Sequence, residues 1–352
     1  MTNYYAIVLA GGGGTRLWPV SRKKAPKQLL SIVGDHTMIE YTYTRLRRLF
    51  EADHIVIVPT KEYGNVIRKQ LGAREKYHII EEPAPRGTAG AIALAVAWIA
   101  ERDPNAMVVT INSDAHVGNE ERYIETVRAL PGVIQQHSDL LTLVGLIPQY
   151  PETGYGYIEC TKRVTTKTSV VAVKQFVEKP DLTTAKQYVR SGRFLWNPTM
   201  IGATVKTFWS RFQEHLPKHA QAIEQYHSHR HSNAAYLRLD PISIDYGILE
   251  REKNMQAVVA RDWVWSDIGH WKAVKDVQSV RSDENVGSRH VTTDAKGNLL
   301  LSTNNKLIAA VGVRNLAVID TDDVILVCPL NRAQDVKRII EELKKQGLTK
   351  YL

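Results

Sequence analysis

Five short apolar runs, separated by helical or turn patterns, shape the first half of this 352-residue chain. They cover residues 6–10, 54–58, 77–80, 106–111 and 140–147. Runs that are apolar at nearly every position suit strands buried on both faces, and such strands alternate with helices in α/β sheets. Helical patterns lie between them at 38–50 and 88–101. We therefore predict an α/β fold whose sheet carries helices on both faces.

The pattern changes after about residue 153. Strands of antiparallel or excursion type are predicted at 155–159 and 169–177, and helices at 182–191, 205–215 and 218–227. These additions make the predicted sheet mixed rather than purely parallel. We place a first boundary near residue 150 and a second near residue 282.

A six-residue aliphatic period follows the second boundary. It comprises Leu301, Leu307, Val313, Ile319 and Ile325. Such a period suits a left-handed β-helix, in which each flat face of a coil needs one inward side chain per hexapeptide. Ordinary alternating strands remain the alternative, because six is a multiple of two. A charged amphipathic helix is predicted over residues 333–345.

Composition narrows the class of protein. No stretch approaches the roughly 20 apolar residues that cross a bilayer, and the first residues lack the features of a signal peptide. The two cysteines, Cys160 and Cys328, lie in no metal or redox motif, which indicates a reducing, cytoplasmic location without a zinc site. The formal net charge is +9. It fits either a nucleic-acid binder or an enzyme for phosphorylated substrates, and the scattered basic residues favour the enzyme.

A glycine-rich loop carries the clearest chemical signal. Gly11–Gly14 directly follow the first apolar run, and Arg16 and Lys27 come after them. Successive glycine N–H groups, with no Cβ in the way, can surround phosphate oxygens, and arginine binds phosphate through two donors. A dinucleotide-binding turn is disfavoured because Arg16 stands where a third glycine is needed and Pro19 breaks the following helix. A flexible glycine linker is the remaining alternative.

The loop also carries a family resemblance. The pattern G-x-G-T-R-L-x-P at residues 12–19, followed by Pro26-Lys27, is similar to the signature of nucleotidyltransferases that make nucleotide sugars. The fuller form, at residues 17–22 and 26–28, resembles mannose-1-phosphate guanylyltransferases, and the similarity continues to about Asp323. The resemblance implies a Rossmann-like, glycosyltransferase-A-like catalytic domain over residues 1–282, with a nucleotide half to about 150 and a sugar half after it. A β-helix-like domain would cover 283–352.

The resemblance assigns the nucleotide-binding residues. They are Leu9, Ala10, Gly11, Gly12, Gly13, Gly14, Thr15, Arg16, Glu82, Arg86, Gly87, Thr88 and Ala89. In this family the segment that matches 82–89 lines the base pocket, and the Glu82 carboxylate is suited to the two donors on the guanine edge. Gly87 stands where the family usually has Asn. A solvated loop and helix cap is the alternative for this segment.

Two aspartates are predicted to bind the metal. Asp114 follows the run at 106–111, and open α/β sheets bind ligands at the carboxyl ends of their strands. Asp267 lies in a Trp-rich segment, and two carboxylates with phosphate oxygens can complete an octahedral Mg²⁺ site. The matching family residues hold Mg²⁺ or Mn²⁺, so the predicted catalytic residues are Arg16, Lys27, Asp114 and Asp267. Helix capping by Asp114 and core packing of the Trp-rich segment are the alternatives.

A third group is assigned to the sugar phosphate by the same resemblance. It comprises Gly156, Tyr157, Glu178, Lys179, Asn197 and Asp245. Lys179 would hold the phosphate, and Glu178 the sugar hydroxyls. Pro198-Thr199 departs from the family's Ser-Gly, and a surface ion pair is the alternative for Glu178 and Lys179.

The resemblance thus implies synthesis of GDP-mannose and pyrophosphate from GTP and mannose 1-phosphate. We expect a divalent cation, no nucleic-acid or membrane partner, and a homodimer formed through the C-terminal domain. Two alternatives stay open. One is a pyrophosphorylase for another sugar 1-phosphate, such as heptose or glucose, or for another nucleotide. The other is a regulatory subunit without catalysis.

Overall fold

The computed structural model of the chain describes residues 3–72, 75–165, 167–228 and 233–352. It divides into two compact units. The first contains Met1–Gly11, Tyr43–Ser113 and Gly118–Trp263, and the second contains Gly12–Thr42, Asp114–Val117 and Val264–Leu352. The glycine-rich loop therefore leaves the first unit at its start and belongs mostly to the second.

The strands, in chain order, are β1 Tyr4–Ala10, β2 Ile55–Pro59, β3 His78–Ile79, β4 Met107–Asn112, β5 His116–Gly118, β6 Leu141–Leu146, β7 Gly156–Cys160, β8 Val170–Val177, β9 Phe194–Asn197, β10 Ile201–Thr204, β11 Met255–Ala260, β12 Val264–Ser266, β13 Val286–Gly287, β14 His290–Thr293, β15 Leu299–Ser302, β16 Ile308–Val311, β17 Leu316–Asp320 and β18 Ile325–Pro329. The α-helices are α1 Met38–Leu46, α2 Gly64–Leu71, α3 Gly87–Arg102, α4 Glu120–Gln136, α5 Leu182–Ser191, α6 Val205–His215, α7 Pro217–Ser228, α8 Ala234–Leu237, α9 Trp271–Gln278 and α10 Val336–Lys345.

The first unit is built on a ten-stranded sheet in the order β11-β8-β7-β9-β6-β10-β4-β1-β2-β3. Strand β1 pairs in parallel with β2 and β4, whereas β10 is antiparallel to both β4 and β6. The sheet is therefore mixed, as predicted. Strands β9 and β10 were not predicted, because their short runs carry no clear alternation.

Helices cover both faces of this sheet. Successive residues of a strand point to opposite faces. Ile7 and Leu9 of β1 join a core cluster with α3 and α6, while the hydroxyl of Tyr4 donates to the Val127 carbonyl of α4 at 3.4 Å. Helix α3 is buried from Ala89 to Val96 and again at Ile99, where its residues are small or apolar, and it packs against α6, α7 and β1. The predicted α/β architecture is confirmed.

The second unit contains a β-helix-like domain. Strands β13, β15 and β17 run parallel, as do β14 and β16 in a separate pair. His290 pairs with Ile308 and Leu299 with Ala317, so paired residues in these two coils are 18 positions apart. Val286 of β13 pairs with Leu299, which is 13 positions later. Eighteen residues correspond to three hexapeptides, so the predicted β-helix-like domain is confirmed. Alternating strands on one ordinary sheet do not describe it.

The prediction that every member of the six-residue period points inward is wrong. Ile319 is buried, but Leu307 is 53% exposed and Ile325 is 67% exposed. Strand β18, which begins at Ile325, pairs antiparallel with β17 and so ends the parallel coil. Turns between the strands also interrupt the alternation, so a constant spacing does not keep side chains on one face.

The segment after the glycine-rich loop packs into the same core as the C-terminal domain. Leu17 and Trp18 join a cluster with α9 and the β-helix-like strands. The indole of Trp271 donates to the Trp18 carbonyl at 3.0 Å, and the indole of Trp18 donates to the Tyr351 carbonyl at 2.7 Å. The predicted C-terminal helix is present as α10, preceded by a 3-10 helix at Leu330–Asp335.

Two predictions from composition concern membrane-spanning segments and the cysteines. Within the described ranges, none of the helices combines the length and apolarity needed to cross a membrane. Cys160 is buried and Cys328 is partly buried, and neither forms a disulfide.

Candidate active site

The glycine-rich loop begins where two parallel strands end. Leu9 of β1 is in register with Asn112 of β4, so both strands end at the same edge of the sheet. The hydroxyl and the N–H of Ser113 both bind the Leu9 carbonyl, at 2.7 and 3.1 Å. The chain therefore leaves β1 into the glycines, and leaves β4 toward Asp114, at one edge, which is where α/β sheets bind ligands.

Glycine is required at position 14 of the loop. Its φ is +59°, and a Cβ there would lie 2.6 Å from Lys27 Cβ and 2.7 Å from Ser21 Oγ. The Ser21 hydroxyl donates to the Gly13 carbonyl at 3.2 Å and closes the loop. A Cβ at Gly13, by contrast, would meet no described atom within 4 Å. Gly14 thus lets Lys27 come close, and Gly13 faces open space.

The four predicted catalytic residues come together within the second unit. The Lys27 ammonium lies 2.8 Å from Asp114 Oδ2 and also donates to the main-chain carbonyl of Asp267. Arg16 Nη2 lies 3.9 Å from Asp267 Oδ2, and Arg16 Nη1 donates to Gln334 Oε1 at 2.8 Å. Lys27 is held in a short 3-10 helix, Lys27–Leu29, that starts after Pro26. These contacts join residues that are far apart in the sequence.

Asp267 is presented by a tight turn. The N–H of Gly269 donates to Asp267 Oδ1 at 3.0 Å, and a Cβ at Gly269 would lie 2.4 Å from Oδ2. Ile268 has a positive φ of +43°. The side chains of Asp114 and Asp267 are 31% and 29% exposed, so their oxygens are open to a ligand. Partly exposed carboxylate oxygens are donors that suit Mg²⁺ or Mn²⁺, so this pair fits a divalent cation.

Glu82, in the first unit, is a buried carboxylate with one oxygen already engaged. Its Oε1 accepts from the Tyr236 hydroxyl and from the Arg86 N–H, both at 2.7 Å. Burial raises the pKa of Glu82, and these two hydrogen bonds oppose the rise. Oε2 lies 3.7 Å from the position that a Cβ on Gly11 would take. Oε2 is therefore the oxygen left to accept from a ligand.

Residues 86–89 bind a neighbouring segment of the first unit. The Arg86 guanidinium donates to the carbonyls of Tyr236 and Leu237. Ala89 N–H donates to the Ile242 carbonyl at 3.2 Å, and Thr88 Oγ1 accepts from Ile244 N–H at 2.8 Å. The Arg86 side chain thus holds the fold of this segment.

The same packing explains the unusual glycine at position 87. Its φ is +78°, and a Cβ there would lie 2.2 Å from the Ile242 carbonyl oxygen. An Asn, as the family usually has, would require the 242 segment to move.

Glu178 and Lys179 form an ion pair in the first unit. The Lys179 ammonium contacts Glu178 Oε1, and Lys179 has a positive φ of +46°. A Cβ on Gly156 would lie 2.6 Å from Glu178 Oε2, so glycine is needed for this approach. The Glu178 side chain is buried, whereas that of Lys179 is about half exposed. The lysine can therefore reach a ligand.

Asn197 and Asp245 form a second polar pair in the first unit. Asn197 Nδ2 donates to Asp245 Oδ1 at 3.1 Å. Burial and then the nearby Glu178 raise the pKa of Asp245 to about 7, while Lys179 lowers it. Asp245 starts a π-helical turn, Asp245–Leu249, a feature that is frequent at functional sites. Thr199 has a φ of +58°, which explains why the family has Gly there.

Sequence reasoning missed the residues that support these side chains. Tyr157, which the resemblance assigns to the sugar phosphate, is itself a supporting residue: its ring is fully buried and its hydroxyl donates to the Glu152 carbonyl at 2.8 Å. Tyr236 holds Glu82 and Gln334 holds Arg16, and neither lies near any motif. Glu250 accepts from Glu178 N–H at 3.2 Å. It lies in a segment that resembles the family, so it is the one supporting residue that the sequence could have indicated.

Comparison with known proteins identifies the family of the chain. The nucleotidyl transferase family model matches residues 5–283, and the family described as MannoseP isomerase/GMP-like beta-helix domain matches residues 288–343. A mannose-1-phosphate guanylyltransferase from Escherichia coli is 33% identical over 97% of this chain and 74% of its own length. One from Salmonella typhimurium is 34% identical over 98% of this chain and 74% of its own.

A solved structure extends the similarity to the fold. A crystal structure from Thermus thermophilus, described as a mannose-1-phosphate geranyltransferase, has a TM-score of 0.90 at 32% identity. It covers 97% of this chain and 99% of its own. The chain therefore belongs to the nucleotidyl transferase family, and it is a nucleotidyltransferase related over nearly its whole length to mannose-1-phosphate guanylyltransferases.

Proposed function

We propose that the chain makes GDP-mannose and pyrophosphate from GTP and mannose 1-phosphate. The names of its relatives support this choice of substrates. The observation that carries it is the contact of Lys27 with both Asp114 and Asp267, beside an open glycine loop. Two cations and two carboxylates at a phosphate-binding loop suit a reaction between two anionic substrates.

The glycine-rich loop and its cations bind the triphosphate. The amides around Gly13 and the Arg16 guanidinium hold the β- and γ-phosphates, because arginine and bare N–H groups both suit phosphate oxygens. Lys27 neutralises charge at the α-phosphate. Two of the three donors of its ammonium contact Asp114 and Asp267, and the third is available to a phosphate oxygen.

Asp114 and Asp267 are the residues that would hold Mg²⁺ or Mn²⁺. A bound divalent cation supplies positive charge against the phosphates and the leaving pyrophosphate. The two aspartates would keep that charge at the loop, and the Gly269 N–H orients Asp267 at 3.0 Å while Arg16 lies 3.9 Å from it. Preorganised charge of this kind is the main catalytic contribution that we assign to the protein.

The sugar phosphate is its own nucleophile. One of its phosphate oxygens forms a bond to the α-phosphorus of GTP as the bond from that phosphorus to the β-phosphate oxygen breaks. The attacking oxygen is already an anion, so no general base and no covalent enzyme intermediate are needed. Lys179 holds the incoming phosphate, and Glu178, Asn197 and Asp245 hold the sugar hydroxyls.

Glu82 is the residue we assign to guanine. Its Oε1 is occupied by Tyr236 and the Arg86 N–H, so Oε2 would accept from the N–H donors of the guanine edge. Adenine and uracil lack this pair of adjacent donors. Arg86 supports the pocket through the carbonyls of α8 rather than through a phosphate.

A substrate panel tests the proposal. The four nucleoside triphosphates are each combined with mannose, glucose and heptose 1-phosphates, and pyrophosphate release is measured. We expect the highest kcat/KM for GTP with mannose 1-phosphate. A higher value for ATP or UTP, or for another sugar, would assign the enzyme a different product.

The C-terminal domain is our proposed dimer contact. Val291 and Val311 of β14 and β16 are more than half exposed, and they offer an apolar surface on that pair of strands. Light scattering should then give twice the monomer mass. Val291→Lys with Val311→Lys should give the monomer mass. The two unpaired cysteines support our proposal of a reducing, cytoplasmic location.

A further inference from the structure

A cavity of about 530 Å³ lies in the first unit, and none of its described lining residues is assigned above to a substrate. It is bounded by the start of α7 and by the segment that includes and follows α8. Its charged and polar lining includes His215, Lys218, His219, Arg238 and Asp240. The volume is in the range of small-molecule sites.

Positive charge dominates the cavity. Lys218 and Arg238 are exposed at its edge, and within the described ranges neither side chain makes an ion pair. Asp240 is the one carboxylate among the described lining residues. The cavity also lies at the N-terminus of α7, a helix of twelve residues, where the helix dipole favours an anion.

His219 lines the cavity, and one of its ring nitrogens is an unused acceptor within the described ranges. The residue is 6% exposed, and its buried Nε2 has no hydrogen-bond partner among the residues that the structure describes. Its other ring nitrogen binds the main chain of Asp240, and burial lowers the pKa of the ring. The ring is therefore neutral, with the proton on the nitrogen that faces Asp240, so Nε2 can only accept. A buried acceptor without a donor is unfavourable, and a ligand hydroxyl would satisfy it.

The wall of the cavity is also the support of the proposed guanine site. Ala235, Arg238 and Ile242 line the cavity. Between them, Tyr236 holds Glu82, and the carbonyls of Tyr236 and Leu237 hold Arg86. Ile242 exchanges main-chain hydrogen bonds with residues 86 and 89, at 3.1 and 3.2 Å. The segment 235–242 therefore connects the cavity to the guanine site through direct hydrogen bonds.

We propose that this cavity is an effector site for a small phosphate monoester that carries hydroxyl groups. Lys218 and Arg238 bind the phosphate, and a ligand hydroxyl donates to His219 Nε2. Occupancy changes the affinity of the enzyme for its nucleotide through the segment 235–242. Binding of the ester at the cavity does not depend on the proposed function. The effect of that binding on nucleotide affinity rests on the proposed function.

Calorimetry on the full chain tests binding. Glucose 6-phosphate represents the sugar phosphates and GMP the nucleoside monophosphates. Inorganic phosphate lacks the part of the ligand that carries hydroxyl groups. We expect at least one of the two esters to bind at millimolar concentration and more tightly than inorganic phosphate. Lys218→Ala with Arg238→Ala should weaken binding about tenfold or more, because two charge-assisted contacts are lost. His219→Phe should weaken the esters but leave inorganic phosphate unchanged.

Matched variants separate this cavity from the substrate site. Lys186→Ala with Lys206→Ala removes the same charge from exposed positions on α5 and α6 and should leave binding unchanged. Loss of binding in Lys179→Ala, with retention in the Lys218 and Arg238 double variant, would place the ester in the substrate site and overturn the proposal. Absence of binding by both esters would overturn it as well.

A kinetic measurement tests the coupling. The KM for GTP is measured with and without the ester that binds, at saturating mannose 1-phosphate. We expect it to change in the wild type and in the Lys186 and Lys206 control, and to stay constant in the Lys218 and Arg238 double variant. An ester that binds at the cavity without changing this KM overturns the coupling. If the enzyme prefers another nucleotide to GTP, the proposed function is contradicted instead. Calorimetry then still tests whether the cavity binds the ester.

Discussion

The Lys27 ammonium lies 2.8 Å from Asp114 Oδ2, and the same group donates to the main-chain carbonyl of Asp267. The Lys27 side chain is only 6% exposed, so its charge is poorly screened by water. A cation of the protein therefore already neutralises one of the two carboxylates that we assign to the metal. Lys27 and a divalent cation would therefore compete for Asp114.

This competition predicts a change in metal affinity. Lys27→Met keeps the apolar stem and removes the ammonium, so the chain without nucleotide should bind Mn²⁺ more tightly, by about tenfold for each 1.4 kcal/mol of competition removed. Electron paramagnetic resonance of free Mn²⁺ measures this directly. Lys24→Met, at an exposed position nearby, is the control and should bind as the wild type does. Unchanged or weaker Mn²⁺ binding in Lys27→Met would contradict the competition.

The shared metal predicts strongly coupled effects of the two aspartates. Asp114→Asn and Asp267→Asn should each lower kcat severely, because each removes charge that stabilises the leaving pyrophosphate. The double variant should be little worse than the worse single variant, since both changes disable the same ion. EDTA should abolish activity, and added Mg²⁺ should restore it. Additive losses in the double variant, or full activity in EDTA, would show that the residues do not share a metal.

Lys179 should act on one substrate. Its exposed ammonium is available for the sugar phosphate, and a charge-assisted contact contributes about 1.5–3 kcal/mol, or roughly 10- to 150-fold in KM. Lys179→Ala should therefore raise the KM for mannose 1-phosphate and leave that for GTP nearly unchanged. Lys174→Ala, which removes a comparably exposed lysine that pairs with Glu159, is the matched control. A raised KM for GTP instead would assign Lys179 to the nucleotide.

Two neighbouring glycines of the loop should respond differently to alanine. Gly14→Ala places a Cβ 2.6 Å from Lys27 Cβ at a φ of +59°, so it should lower stability by about 1–3 kcal/mol and displace Lys27. Gly13→Ala adds its Cβ in open space and should keep the melting temperature. Thermal unfolding of both variants measures the difference. Equal melting temperatures would show that the loop adapts at Gly14.

Asp245 should make stability depend on pH. Burial raises its pKa in the folded chain to about 7, above the ordinary value of an aspartate. The folded state then binds a proton that the unfolded state has released, so this contribution to stability is lost as the pH rises from about 4 through 7. Asp245→Asn removes this pH-dependent loss of stability, and its amide oxygen can still accept from Asn197. Its gain in melting temperature over the wild type should be larger at pH 8 than at pH 5.

The exposed Asp139 supplies the control for this prediction. Asp139→Asn should shift the melting temperature by a similar amount at both values of pH. A gain for Asp245→Asn that does not grow with pH would show that Asp245 is ionised in the folded chain at pH 5 as well.

The sequence by itself determined the fold class and indicated the charged residues of the proposed site. Apolar runs located β1, β2, β4 and β6, because a strand buried on both faces must be apolar throughout. The four glycines and the residues Arg16 and Lys27 indicated phosphate chemistry, since that chemistry depends on residue type and local spacing. The same local signals could not detect β9 and β10, whose place in the sheet depends on strands distant in sequence.

Tertiary structure alone decided which of these groups touch. Lys27 meets Asp114 and Asp267 because a strand end, a tight turn and the packing of Trp18 against Trp271 bring three distant segments together. Tyr236 engages one oxygen of Glu82, and Gly87 is fixed by the Ile242 carbonyl, although no motif marks either partner. Side-chain contacts across more than a hundred residues depend on the packed arrangement of whole elements, and no local pattern of residues encodes that arrangement.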